Sequence, residues 1–73
     1  MEKKVRYNWA TLGTGVIANE LAQALEKLGG KLYSVANRTY QKGLEFAQKY
    51  GIEKVYDQID DVFSDENVDI IYI

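Results

Sequence analysis

Two glycines placed where the hydrophobic spacing changes period constrain this chain more than any other feature. From Val5 to Leu12 the segment VRYNWATL is rich in aromatic and β-branched residues, the composition of a strand. From Val16 onward Ile17, Leu21, Ala24, Leu25 and Leu28 recur at helical spacing, with Glu20, Gln23, Glu26 and Lys27 on the other face. Gly13 and Gly15 stand at the join. A chain that leaves a strand and enters a helix within three residues must bend sharply, which a residue without a Cβ does cheaply.

The rest of the chain repeats this alternation. Gly29 and Gly30 stop the first helix, and Lys31 to Asn37 (KLYSVAN) reads as a second strand. Thr39 is placed to cap a second helix in which Tyr40, Gly43, Leu44, Ala47 and Tyr50 share a face, closed by Gly51. A short third strand is expected at Lys54 to Tyr56. Asp57 is then expected to cap a brief helix over 58–63, carrying Ile59, Val62 and Phe63. Val68 to Ile73 (VDIIYI) is the fourth strand. The order is βαβαβαβ, and the connections are too long for hairpins, so the class is α/β with a parallel sheet and right-handed crossovers. The strands are apolar on both faces, as buried parallel strands are.

The join itself, Gly13-Thr14-Gly15-Val16-Ile17-Ala18, reads G-x-G-x-x-A. In a dinucleotide-binding turn the first glycine makes the bend and the second leaves room for a pyrophosphate. The third position is small so that helix and strand pack closely. The pyrophosphate then rests on free N–H groups at the positive end of the helix. The alternative is a tight turn with no ligand. The strand before and the helix after are the context the ligand reading requires.

The end of the second strand is the other informative place. NAD-preferring proteins usually put an acid there to hold the adenine ribose hydroxyls. Here stand Asn37, Arg38 and Thr39, with Lys42 shortly after, and no acid lies between Lys31 and Glu45. A carboxylate would repel a 2′-phosphate; neutral Asn37 beside Arg38 and Lys42 would attract one. The expected cofactor is therefore NADP, or NAD if Arg38 only stacks on adenine or faces solvent.

Composition removes other classes. The 73 residues contain no His, Cys or Pro, so imidazole bases, thiol nucleophiles and the usual zinc ligand sets are missing. Lack of cysteine suits a reducing compartment, and a cytoplasmic location is expected. No apolar run approaches the ~20 residues that span a bilayer. All nine bases precede residue 55 while six of the eleven acids follow it. The bases form no stripe interleaved with aromatics, so nucleic acid is not an expected partner. Asp60-Asp61 and Asp65-Glu66 come without other oxygen ligands, and no metal site is expected.

The whole chain resembles the N-terminal portion of the glucose–fructose oxidoreductase / inositol dehydrogenase (Gfo/Idh/MocA) family. The matching segments are Trp9-Ala-Thr-Leu-Gly-Thr-Gly-Val-Ile-Ala18, Ser34-Val-Ala-Asn-Arg-Thr39, Phe46-Ala-Gln-Lys-Tyr-Gly51 and Val68-Asp-Ile-Ile-Tyr-Ile73. The resemblance implies a Rossmann-type cofactor domain, with residues 1–73 as a partial domain in strand order 3-2-1-4 and a substrate domain lying elsewhere. It implies hydride transfer between NAD(P) and a sugar, cyclitol or related alcohol. Gly13, Thr14, Gly15, Val16, Ile17 and Ala18 would face the pyrophosphate and nearby ribose, and Asn37, Arg38, Thr39 and Lys42 the adenosine ribose or its phosphate. The family's catalytic lysine and its later Asp/His pair would fall beyond Ile73, so this piece of a longer enzyme is expected to carry no catalytic residue. The competing functions are a non-catalytic nucleotide sensor or co-regulator and, more weakly, a Rossmann module for a different nucleotide. A four-stranded sheet would leave VDIIYI at an edge and one face covered only by the short helix over 58–63, and self-association is expected through that face or that edge.

Overall fold

Each change of period in the sequence produces a change of secondary structure. The computed structural model describes residues 7–73, so the part of the first expected strand at Val5 and Arg6 lies outside the described residues. The elements are β1 (Trp9–Leu12), α1 (Val16–Lys27), β2 (Ser34–Ala36), α2 (Tyr40–Tyr50), β3 (Lys54–Val55), α3 (Asp61–Ser64) and β4 (Ile70–Tyr72). The strands pair in parallel in the order β3-β2-β1-β4. Ala10 lies opposite Ser34 and Ile71, and Ser34 opposite Lys54. This is the Rossmann-type half-sheet read from the sequence.

Two apolar layers sandwich the central strands. On one face α1 and α2 bury Ala18, Ala22, Phe46, Ala47 and Tyr50 with Leu32, Val35 and Ile52. On the other, Ala10, Ala36, Tyr56 and Val62 form a smaller cluster beneath α3. Leu32, Val35 and Val62 are each at most 1% exposed, and burial at that level contributes ~1.5–3 kcal/mol per side chain. Small residues at 18 and 22 are the only buried positions of α1, so this helix comes close to the sheet. Gly43 does the same for α2, since a Cβ there would stand 3.2 Å from Val55 Cγ1 and 3.7 Å from Asn37 Cβ.

Helix ends follow the glycines. After α1 the Gly29 and Gly30 N–H groups donate to the Glu26 and Leu25 carbonyls at 3.0 and 2.9 Å, the paired bonds of a left-handed helix stop. Gly51 ends α2 in the left-handed conformation at φ 67°. Thr39 does precede α2, yet its hydroxyl makes no capping bond.

Several boundaries differ from the sequence reading. β2 and β4 are shorter than expected at both ends, β3 ends one residue early at Val55, and β1 starts at Trp9 while ending at Leu12 as expected. At the start of β1, Asn8 is held to the β4 segment partly by side chains: its N–H donates to the Asp69 carboxylate at 2.7 Å and its amide to the Asn67 carbonyl at 2.8 Å. Regular pairing begins only beyond these bonds. The third helix starts at Asp61, and Asp57 does not cap it. The Asp61, Val62 and Phe63 N–H groups bond back to Gln58, Ile59 and Asp60, each at 3.1 Å. That three-residue spacing makes 58–60 a tight turn that leads into α3. The inner strands are also less purely apolar than expected, because Thr11 and Ser34 are fully buried. The Ser34 hydroxyl is 2.9 Å from the Tyr56 hydroxyl, whereas Thr11 Oγ1 has no hydrogen-bond partner among the described residues.

Candidate functional site

The site is built where the carboxyl ends of β1 and β2 meet the starts of α1 and α2. Gly13 leaves β1 at φ 114°, a backbone angle that L side chains rarely adopt. Its N–H donates to the Ala36 carbonyl at 2.7 Å, which fastens the turn to the end of β2. Gly15 is different. It is the N-cap of α1 at φ −79°, ψ −164°, an extended conformation open to any residue, and a Cβ built on it would meet nothing within 4 Å. Neither strain nor crowding inside the chain calls for glycine at 15. The space beside this backbone is open, as a phosphate-binding turn requires.

The start of α1 suits an anion. The first intrahelical bond runs from Asn19 N–H to the Gly15 carbonyl at 3.0 Å, so helix geometry leaves the Val16, Ile17 and Ala18 N–H groups without an intrahelical acceptor. No acidic residue occupies the first turn of this 12-residue helix, and its positive end is uncompensated. Thr14 is half-buried, Gly15, Val16 and Ile17 are exposed beside the turn, and Ala18 is buried under the helix.

The second arm follows β2. Asn37 is half-buried, and its amide donates to the Thr39 carbonyl at 2.9 Å, leaving Oδ1 free to accept a hydroxyl. Arg38, Thr39 and Lys42 are exposed. Lys42 sits in the first turn of α2, its N–H on the Thr39 carbonyl at 3.1 Å. Neither Arg38 nor Lys42 is ion-paired among the described residues. The fold thus brings Gly13–Ile17 and Asn37–Thr39 to one edge of the sheet, with two uncommitted cations at the Asn37 end.

Two polar clusters escaped the sequence reading. In the first, Asn19 bonds both the glycine turn and Tyr50 of α2. Gln23, read as solvent-facing, donates to Tyr50 Oη at 3.2 Å. In the second, Asp65 accepts from Lys54 Nζ at 2.7 Å, Tyr56 Oη at 2.6 Å and the Asn67 N–H at 2.9 Å. The Lys54 ammonium, then the Tyr56 hydroxyl, lower the Asp65 pKa to about 2. Burial, then the bond to Asp65, raise that of Tyr56. This second cluster closes the α3 face and lies apart from the glycine turn. The acidic i, i+1 pairs of the sequence gave no hint of it.

The comparisons with known proteins agree with this architecture. The family described as an oxidoreductase family with an NAD-binding Rossmann fold, Gfo/Idh/MocA, matches residues 7–73. The chain is 34% identical over 68 residues to trans-1,2-dihydrobenzene-1,2-diol dehydrogenase of Mus musculus, covering 89% of this chain and 20% of that protein. It is 38% identical over 64 residues to glutamyl-tRNA reductase of Sulfurisphaera tokodaii, covering 88% and 15%. To 1,5-anhydro-D-fructose reductase of Ensifer adhaerens it is 27% identical over 66 residues, covering 89% and 20%. The chain therefore spans about a fifth or less of the length of these relatives. Among the described residues no helix is long and apolar enough to cross a membrane. A parallel 3-2-1-4 sheet, a glycine turn at the head of α1 and a family match over nearly its whole length make this chain a member of the Gfo/Idh/MocA oxidoreductase family, in its NAD-binding Rossmann portion.

Proposed function

We propose that the chain holds the adenosine and pyrophosphate portion of a nicotinamide dinucleotide, NADP in preference to NAD. In this reading it serves an oxidoreductase acting on a sugar, cyclitol or related alcohol. The observation that carries the reading is the Gly13–Ala36 hydrogen bond at 2.7 Å, because it brings the glycine turn and the end of β2 side by side, as a shared site for pyrophosphate and ribose would require. The residues fit the cofactor: Gly15 leaves the cradle open, and the N–H groups of Val16, Ile17 and Ala18 would hold the phosphates. Asn37 Oδ1 would accept a ribose hydroxyl without bringing a negative charge. Arg38 would hold a 2′-phosphate through paired N–H donors, with Lys42 as a second point charge. When bound, the nicotinamide ring supplies or takes the hydride. The names of the dihydrodiol dehydrogenase and anhydrofructose reductase relatives support a cyclic or sugar-like substrate for the whole protein.

Calorimetric titration with NADPH and NADH, on the chain and on Arg38→Ala, tests the proposal. NADPH should bind more tightly, and loss of the guanidinium should cost NADPH roughly tenfold to a hundredfold while leaving NADH nearly unchanged. Equal losses for both cofactors would show that Arg38 does not read the 2′-phosphate.

A further inference from the structure

The Asn19 side chain has neighbours on two sides that fix its orientation by chemistry alone. On one side stand the Thr14 and Gly15 carbonyls, 3.2 and 2.8 Å from Nδ2. These can only accept. On the other side Tyr50 Oη lies 2.6 Å and Lys49 Nζ 3.1 Å from Oδ1. The ammonium can only donate, so the oxygen must face it and the NH₂ must face the carbonyls. Gln23 Nε2 donates to Tyr50 Oη at 3.2 Å. The donors therefore run in one direction, from Gln23 through Tyr50 and Asn19 into the glycine turn, and bonds in such a series strengthen one another.

The two carbonyls at the end of this series belong to the peptide planes Thr14–Gly15 and Gly15–Val16. No cis bond occurs among the described residues, and in a trans peptide the N–H points opposite to the C=O. Holding both carbonyls on the Asn19 amide turns the Gly15 and Val16 N–H groups the opposite way, away from that amide. The Val16 N–H is one of the donors that would hold the phosphates, and the Gly15 N–H would add another at the mouth of the turn. The Gly15 carbonyl also accepts the Asn19 backbone N–H at 3.0 Å, so the side chain reinforces a helix bond at the Gly15–Val16 plane. It acts most directly on the Thr14–Gly15 plane, where glycine adds no stiffness of its own.

We infer that Asn19, held by Tyr50, is a positioning residue that aims the Gly15 and Val16 N–H groups at the cofactor's pyrophosphate. The inference rests on the dinucleotide reading of the same turn. It assigns the dinucleotide affinity of that turn in part to α2, through Tyr50, 31 residues away from Asn19 in the chain.

The test compares the chain with Asn19→Leu, Tyr50→Phe and the double variant. NADPH binding is read by calorimetry and adenosine 2′-monophosphate binding by NMR titration. The second probe lacks a pyrophosphate and reaches only the Asn37–Arg38 end. Asn19→Leu should weaken NADPH roughly tenfold and Tyr50→Phe less. The double variant should be no worse than Asn19→Leu, because Tyr50 acts through Asn19. Adenosine 2′-monophosphate should bind all four alike. Equal weakening of both probes, or additive losses in the double variant, would overturn the inference in favour of general loosening of the fold. If the unaltered chain binds no NADPH, the dinucleotide reading fails instead. The positioning claim is then decided on the ligand-free chain: Asn19→Leu must shift and mobilise the Gly15 and Val16 amide signals, and unmoved signals refute it.

Discussion

Replacing Gly13 and Gly15 by alanine, one at a time, separates what the fold requires from what the ligand requires. At Gly13 the backbone stands at φ 114°. An alanine Cβ there meets no neighbour within 4 Å, so the cost is conformational, ~1–3 kcal/mol for a side chain held in so sparsely populated a region. A domain of this size has a total stability of roughly 4–10 kcal/mol, and Gly13→Ala therefore removes a large share. At Gly15 two small effects oppose each other. Alanine fits φ −79°, ψ −164° and restricts the unfolded chain, a gain of ~0.4–1 kcal/mol. It is also a poorer N-cap than glycine, a loss of roughly 0.5–1 kcal/mol. The net change should lie within about 0.5 kcal/mol of zero. Its methyl group, however, would stand where a phosphate approaches, which should weaken NADPH by ~2 kcal/mol or more, roughly thirtyfold. Urea unfolding followed by circular dichroism reads the first quantity and calorimetric titration the second. A Gly15→Ala chain with unchanged midpoint and unchanged NADPH affinity would refute the placement of the phosphates. One that unfolds as readily as Gly13→Ala would refute the claim that only a ligand requires glycine at 15.

Three further outcomes follow from features outside the turn. Thr11→Val replaces a buried hydroxyl that lacks a partner among the described residues. It should raise stability by about 1 kcal/mol, or ~4–8 °C in Tm, and a lower Tm would mean the hydroxyl does find a partner. Asp65 titrates from the ordinary 3.8 down to about 2 in the folded chain. A depressed carboxylate stabilises above its unfolded pKa, and that contribution drains away as pH falls through the folded one. Acid unfolding of the chain should therefore steepen between 3.8 and about 2, Asp65→Asn should flatten that slope, and identical slopes would count against the cluster's role. Finally, β4 is an edge strand carrying IIY, with Ile73 exposed at its end and Phe63 exposed on α3. We expect light scattering to report a mass that rises with concentration; a constant monomer mass would dismiss edge pairing.

What could be read in the sequence was local, and what could not be read was contact between distant residues. The Gly13–Ala18 turn and the glycine stops after α1 and α2 follow from patterns within a few residues, and the parallel sheet from the alternation of elements, while the 3-2-1-4 order comes from the family resemblance. The third helix was misplaced because Asp57 looks like a cap by residue type, while the bonds from Asp61, Val62 and Phe63 to Gln58, Ile59 and Asp60 depend on how the chain returns over the Tyr56–Val62 cluster. Asn19 shows the limit more sharply. Within α1 it is one polar residue beside exposed Glu20, and the same is true of Gln23. Only the packing of α1 against α2 brings the Tyr50 hydroxyl within 2.6 Å of it. That packing is fixed by Ala18, Ala22, Phe46 and Ala47, residues chosen by size. The small side chains that let the helices approach the sheet thus also set the polar contact behind the turn. A substitution such as Ala22→Leu would be felt there through displaced helices, although residue 22 touches no ligand in this reading.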